Sequence, residues 1–259
     1  AGELAAVDLD RLGVMCEARQ ATGAVIMEMV RAARRRARRA GRSMIMEDLE
    51  IQLVPKDDRS YSERWRAAFH ESGHALLASL LDRGMVHSAS IVADANSGGE
   101  TNLLGKAKST TRADKYGLVK ILLGGRAAEV VTFGEASEGA GGSEGSDLAQ
   151  ATALVTAGFL STGIEDTLLY RAPPQQVREV LALDPELRRR VGQVLAMLHE
   201  QAKVILSEHR PALEGLAGVL LERQFLNSSE IAEALERFGM ARNPSSDRLT
   251  SISHRGLGP

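Results

Sequence analysis

"FHESGHALLASLL", residues 69–81, sets two histidines four residues apart, with a glutamate directly after the first, inside an otherwise apolar run. Apolar residues flank the pair at helical spacing and no proline interrupts them, which predicts a buried α-helix. Residues i and i+4 share one helix face a turn apart. His70 and His74 can therefore both aim a ring nitrogen at one tetrahedral zinc ion, about 2 Å from each. Glu71 sits slightly round the helix, in reach of a water at that metal without ligating it. Two hydrogen-bonded histidines would need no metal, but His-Glu-x-x-His arises by chance in on the order of one chain in a hundred of this length. Gly73 and Ala75 leave room for a second element to approach this face.

A hydrolytic zinc takes three protein ligands and keeps one position open. A third histidine six residues after the second is ruled out, because that position is Leu80. His87 opens a strand-like stretch, His199 and His209 lie in a late amphipathic helix, and His254 is in the tail; each reads as a surface or packing residue. Two acids are better placed. Glu129, in "GGRAAEVV", is a charge in an apolar helix, which is costly unless paired. Asp147 opens a helix after a Gly-rich loop, where free amides and the helix dipole favour an acid in any case. Residue chemistry leaves the third ligand open between Glu129 and Asp147.

Composition frames the fold. Of 259 residues, 44% are hydrophobic and only 3% aromatic, so the core is built from Leu, Ala, Val, Ile and Met, a set that favours helices. The expected class is mainly α with a small β element. The net charge of −2 gives no general attraction to nucleic acid or anionic membranes. A lone cysteine, Cys16, excludes an internal disulfide and fits a reducing compartment. No apolar run approaches a membrane span and no secretory signal is present, so this piece reads as soluble. It opens "AGELAAVDLD" without methionine, which reads as a processed or truncated piece.

Three segments are expected. Residues 1–58 are helical, with Gly41 stopping "AVIMEMVRAARRRARRAG" and Pro55 beginning a linker. Residues 59–238 hold the His-Glu motif, a strand in "HSASIVADA" ending in the loop "NSGGETN", and one buried helix through "TRADKYGLVKILLGGRAAEVVTF". The irregular "GEASEGAGGSEGSD" follows, then the helix "DLAQATALVTAGFL", a loop at Pro173 and Pro174, and two strongly periodic helices. A last helix begins at the capping pair Asn227 and Glu230. Residues 239–259 lack an apolar face and are expected to be disordered.

Seven arginines in 31–42 read as the solvated face of a helix rather than a nucleic-acid surface, because no aromatics are interleaved. "GGETNLLGKAKST" is not a phosphate loop: Glu100 replaces its first glycine and Ala107 its magnesium-binding hydroxyl. An extended substrate could pair with the edge of "SASIVAD", and Ser90, Ile91 and Val92 are the candidate contacts.

"HESGHALLA", then "GGRAAEVVTFG", then a Gly/Ser loop with "SDLAQAT", and finally "ILSEHRPALEGLAGVLLERQFLNSSEIAEAL" occur in the order of the peptidase domain of the FtsH family of ATP-dependent zinc metalloproteases. "VDLDRLGVMCEARQATGAV" and "GRSMIMEDLE" resemble the small helical lid that ends an AAA ATPase module. The resemblance runs from about Val7 to Leu235. It implies a zinc endopeptidase acting on unfolded or extended polypeptide, with one Zn2+ on His70, His74 and Asp147 and with Glu71 as general base. Glu129 would orient a ligating imidazole. It further implies a homo-hexamer on the cytoplasmic side of a bacterial inner membrane, with ATP and Mg2+ chemistry and any membrane anchor in an upstream region. Ser72 replaces the family's usual alanine, and the segments 93–110 and 136–147 depart from its usual form. Two other readings remain: an inactive assembly scaffold, and a zinc peptidase of another class with Glu129 as third ligand.

Overall fold

The computed structural model describes residues 6–54, 56–81, 85–93, 98–104, 111–165 and 168–240. The motif helix, α4 (Tyr61–Leu80), is its central element. Ser60 and Glu63 cap it reciprocally: Glu63 N–H donates to Ser60 Oγ (3.2 Å) and Ser60 N–H to Glu63 Oε2 (2.7 Å). From Ala68 to Ala78 every residue of α4 is buried. The helix is sandwiched between α6 (Gly124–Phe133) and α10 (Arg210–Arg223). Its contact with α6 is backbone to backbone, since a Cβ at Gly73 would lie 2.7 Å from Ala128 Cβ and collide with the Gly124 carbonyl. That is the close approach the small residue makes possible.

A three-stranded antiparallel sheet flanks this sandwich, formed by β1 (Met85–Ser90), β2 (Glu100–Leu104) and β3 (Phe225–Asn227) in the order β2-β1-β3. The edge assignment for "SASIVAD" is therefore corrected. β1 is the central strand, with Ser90 opposite Glu100 on one side and opposite Phe225 on the other. Ile91 extends the second pairing, its N–H donating to the Gln224 carbonyl at 2.9 Å. Part of "NSGGETN" is strand β2 rather than loop, and residues 94–97 lie outside the described residues.

A second core lies where α5 (Arg112–Leu122), α7 (Asp147–Leu160), α8 (Val177–Leu183) and α9 (Pro185–Glu208) meet, around Val119, Val155, Phe159 and Leu198. The single helix expected through 111–133 is two, α5 and α6, broken at Leu123. α11 (Ser228–Arg237) begins at the expected capping pair: Glu230 N–H donates to Asn227 Oδ1 (3.0 Å) and Asn227 N–H to Glu230 Oε2 (2.9 Å). Met240 still packs on the main core, so the ordered chain runs past residue 238; residues 241–259 lie outside the described residues, as does Pro55.

The helices α1 (Ala6–Ala18), α2 (Gly23–Arg39) and α3 (Met46–Leu53) enclose a small core of Leu12, Met15, Met29, Ala33, Leu49 and Leu53. Phe225 of β3 completes it. Arg11 ties this unit to the rest, donating to Glu50 Oε1 (2.9 Å), Glu230 Oε2 (2.6 Å) and the Phe225 carbonyl (3.2 Å). In α2, Met29, Ala33 and Ala37 face inward and the arginines outward. Arg35 pairs with Glu28 at 2.7 Å, while Arg36 and Arg42 grip the buried Asp48 at 3.1 and 2.6 Å.

Candidate metal centre

His70 and His74 lie on the buried face of α4 with ring centroids 4.9 Å apart. Asp147, the first residue of α7, faces them: its Oδ2 is 3.6 Å from His70 Nε2 and 3.3 Å from His74 Nε2. Ser146 caps α7 and fixes where the aspartate emerges from the Gly-rich loop. Ligand atoms of these three residues all lie within 4.8 Å of one another. A charge-assisted N–H···O bond is about 2.8 Å long, so these gaps are wide for direct hydrogen bonds. Donors about 2 Å from a shared tetrahedral zinc stand about 3.3 Å apart, which matches.

Both histidines are held by their other nitrogen. His74 Nδ1 lies 2.7 Å from the Ile121 carbonyl and His70 Nδ1 lies 2.7 Å from Glu129 Oε1. Ile121 is in the last turn of α5, just before the break at Leu123, and its carbonyl faces the motif helix. With each Nδ1–H donating to an acceptor, the Nε2 atoms face Asp147 and are the ones a metal would take once their protons leave.

Glu129 is therefore placed behind His70. It also accepts from Arg66 Nη1 (2.9 Å), Ser137 N–H (2.7 Å) and Ser137 Oγ (3.0 Å). Burial disfavours its charge, but His70, Arg66 and Ser137 outweigh that and bring its pKa down to about 2. Burial likewise opposes a charged His70, yet the Asp147 and Glu129 carboxylates hold its pKa up at about 10 in the metal-free protein. Asp147, despite its own desolvation, is held well below the usual carboxylate range by the two imidazoles.

Glu71 is buried at the edge of this cluster. Thr101 Oγ1 of β2 donates to its Oε2 at 2.7 Å, and a Cβ on Gly99 would come within 2.7 Å of its Oε1. Burial pushes its carboxyl above the usual range, against the pull of both histidines. Glu71, His74 and Asp147 open onto a cleft of about 1010 Å³, walled by the end of α1, strand β2 and the loop 138–146. Ser90 and Val92 line it too, but Ile91 is fully buried and its carbonyl accepts from Arg59.

Residues 59–234 match the model of peptidase family M41. The chain belongs to peptidase family M41. It is 31% identical over 194 residues to the ATP-dependent zinc metalloprotease FtsH 4 of Sorangium cellulosum, covering 66% of this chain and 29% of that protein. It is also 31% identical over 248 residues to FtsH 3 of Symbiobacterium thermophilum, covering 83% of this chain and 38% of that protein. A similar match, 31% over 222 residues, links it to FtsH of Marinobacter nauticus, covering 75% and 32%. The chain thus spans about a third of the length of the curated relatives it matches. Within this member of family M41, the parts of the site missed by residue pattern are Thr101, Arg66, Ser137 and Gly125. Arg66 carried a signal: it stands four residues before His70 on the same helix face, and both grip Glu129. Gly125 carried another, since a Cβ there would run into the His70 ring.

Proposed function

We propose that this chain is the zinc endopeptidase part of an FtsH-type protease, cutting extended polypeptide in the cleft beside Glu71. The observation that carries the proposal is the convergence of His70 Nε2, His74 Nε2 and Asp147 Oδ2 at tetrahedral-edge separations, with a buried carboxyl alongside. Those three residues would hold the ion, and Glu129 would orient His70 from behind. Zinc there would supply Lewis acidity, lowering the pKa of a bound water to about 7 and polarising the scissile carbonyl. Glu71, with its raised pKa, is suited to accept a proton from the attacking water and return it to the departing amine. Thr101 fixes the carboxylate for both transfers. Strand β2 borders the cleft and is an edge of the sheet, so its outer side, rather than Ser90–Val92 at the central strand, is the place for a substrate to add main-chain hydrogen bonds.

Metal removal tests this reading. Chelation should abolish hydrolysis of an unfolded protein such as casein, and about one zinc per chain should restore it; activity that survives full chelation would refute it. The protonation state adds a second check. A ligating imidazole must be neutral, whereas metal-free His70, with a pKa of about 10, carries a proton at pH 7. Zinc binding at pH 7 should therefore release protons, visible by calorimetry in buffers of different ionisation enthalpy, and affinity should fall as pH falls. Gly125→Ala should displace the His70 ring and weaken zinc binding on the order of 10- to 100-fold while the helical content stays intact. Unchanged affinity in a chelator competition would remove Gly125 from that role.

The relatives' names, ATP-dependent zinc metalloprotease, support ATP hydrolysis as part of the full-length protein; the remaining parts of the proposal follow the family resemblance. Residues 1–58 serve as the lid end of an AAA module and 59–238 as the peptidase unit, with ATP hydrolysis and any membrane anchor in other regions of the full-length protein. Assembly as a homo-hexamer at the cytoplasmic face of a bacterial membrane belongs to the same proposal. No helix among the described residues is long and apolar enough to cross a membrane.

A further inference from the structure

α1 ends in a two-bond helix stop. Gln20 N–H donates to the Glu17 carbonyl (2.9 Å) and Ala21 N–H to the Cys16 carbonyl (2.8 Å), the paired bonds of a Schellman motif. Gln20 takes the left-handed position, with φ +50°, where glycine is usual. A side chain there costs on the order of 1 kcal/mol, so the surrounding structure holds this turn in place. The turn puts Arg19 and Gln20 in the wall of the cleft that contains Glu71, His74 and Asp147.

Arg19 is the one lysine or arginine among the described residues lining that cleft; the other charged linings are the acids Glu71, Glu100, Glu138 and Asp147. It is half-buried. No acceptor among the described residues bonds its guanidinium, whereas Arg11 on the same helix has three. A guanidinium carries five donors, and those of Arg19 are left to water, which a ligand carboxylate can replace. The helix dipole favours a cation at this end of α1, but a solvent-facing side chain would serve that purpose equally.

We propose that Arg19 is a specificity-determining residue: it engages a carboxylate of the polypeptide bound in this cleft, an aspartate or glutamate side chain. The proposal rests on the peptidase reading above. As the one lysine or arginine among the described lining residues, a fork-shaped cation selects for a carboxylate through paired N–H···O bonds and sets the position at which the acid lies. Because Arg19 belongs to the N-terminal helices, the preference links that segment to the choice of cleavage site.

The test uses the zinc-loaded full chain and quenched peptides that differ only by Asp or Asn at successive positions around the cleavage site. At one position the Asp peptide should be cut about tenfold faster in kcat/KM, the worth of a charged hydrogen bond at a partly exposed site. Arg19→Gln should bring that ratio close to one, and Arg19→Glu should turn the preference toward a Lys peptide. A stability role in the helix end would leave the ratio untouched. A wild-type ratio near one at every position, or a ratio that survives Arg19→Gln, overturns the proposal. If no peptide is cut, the peptidase reading fails first. Binding of the same peptides to zinc-loaded Glu71→Gln, with and without Arg19→Gln, then decides by fluorescence anisotropy. An Arg19-dependent Asp preference upholds the proposal and its absence ends it.

Discussion

Asp147→Asn should cost the protein its metal, with zinc affinity falling about a hundredfold or more, since the roughly 10–16 kcal/mol of a protein zinc site is shared among three or four ligands. The variant keeps the shape of the side chain and the Ser146 cap, so α7 should remain folded. It removes the carboxylate oxygen that stands 3.3 and 3.6 Å from the two imidazole Nε2 atoms. Metal analysis after dialysis should find about one zinc per wild-type chain and little in the variant. Glu129→Gln is the control. Its position behind His70 predicts that the full equivalent stays bound with about tenfold lower affinity. The opposite order, zinc kept by Asp147→Asn and lost by Glu129→Gln, would make Glu129 the ligand.

Glu71→Gln should separate binding from chemistry. Glutamine can still accept the Thr101 hydroxyl through its carbonyl oxygen, so the local packing survives. It cannot take up a proton, and loss of a general base typically costs 10²–10⁴-fold. The expected result is zinc content like that of the wild type with peptide hydrolysis reduced by at least about a hundredfold. A variant that stays within tenfold of wild type, or that loses its zinc, would exclude Glu71 as the proton carrier. Retained zinc without activity would also exclude the reading of this chain as an inactive assembly scaffold, provided the wild type cuts peptide.

These two residues differ in how visible they were before folding. The His-Glu-x-x-His geometry is local, because two positions four apart on one helix meet whatever the rest of the chain does. The third acid is not local. Glu129 and Asp147 both sit on helices beside glycines, and only their packing against α4 puts one on Nδ1 of His70 and the other beside both Nε2 atoms. Resemblance to the FtsH family supplied that choice where residue chemistry could not. The same distinction explains the fold. Long periodic helices such as α9 and α10 show in their spacing, and the Asn227–Glu230 cap shows in its residue types. β3 has three residues between two helices, too short for alternation to register. Its arrival beside β1 makes β1 central, and nothing within "SASIVAD" signals it. The break at Leu123 is hidden similarly, since the apolar pattern runs through it and the chain bends to bring Gly124 and Gly125 against α4 and His70.

The sheet order has a consequence in time. Ser90 finds its neighbour Gln224 across 134 residues of chain. At a synthesis rate of 5–20 residues per second, roughly 7–27 s pass on the ribosome between making β1 and making its second partner. During that interval the motif helix can form, but the wall that Phe225 gives to the cleft beside Glu71 does not exist. The Phe225 side of the cleft is therefore the last part of it to be made, after the motif helix, strands β1 and β2, and Asp147.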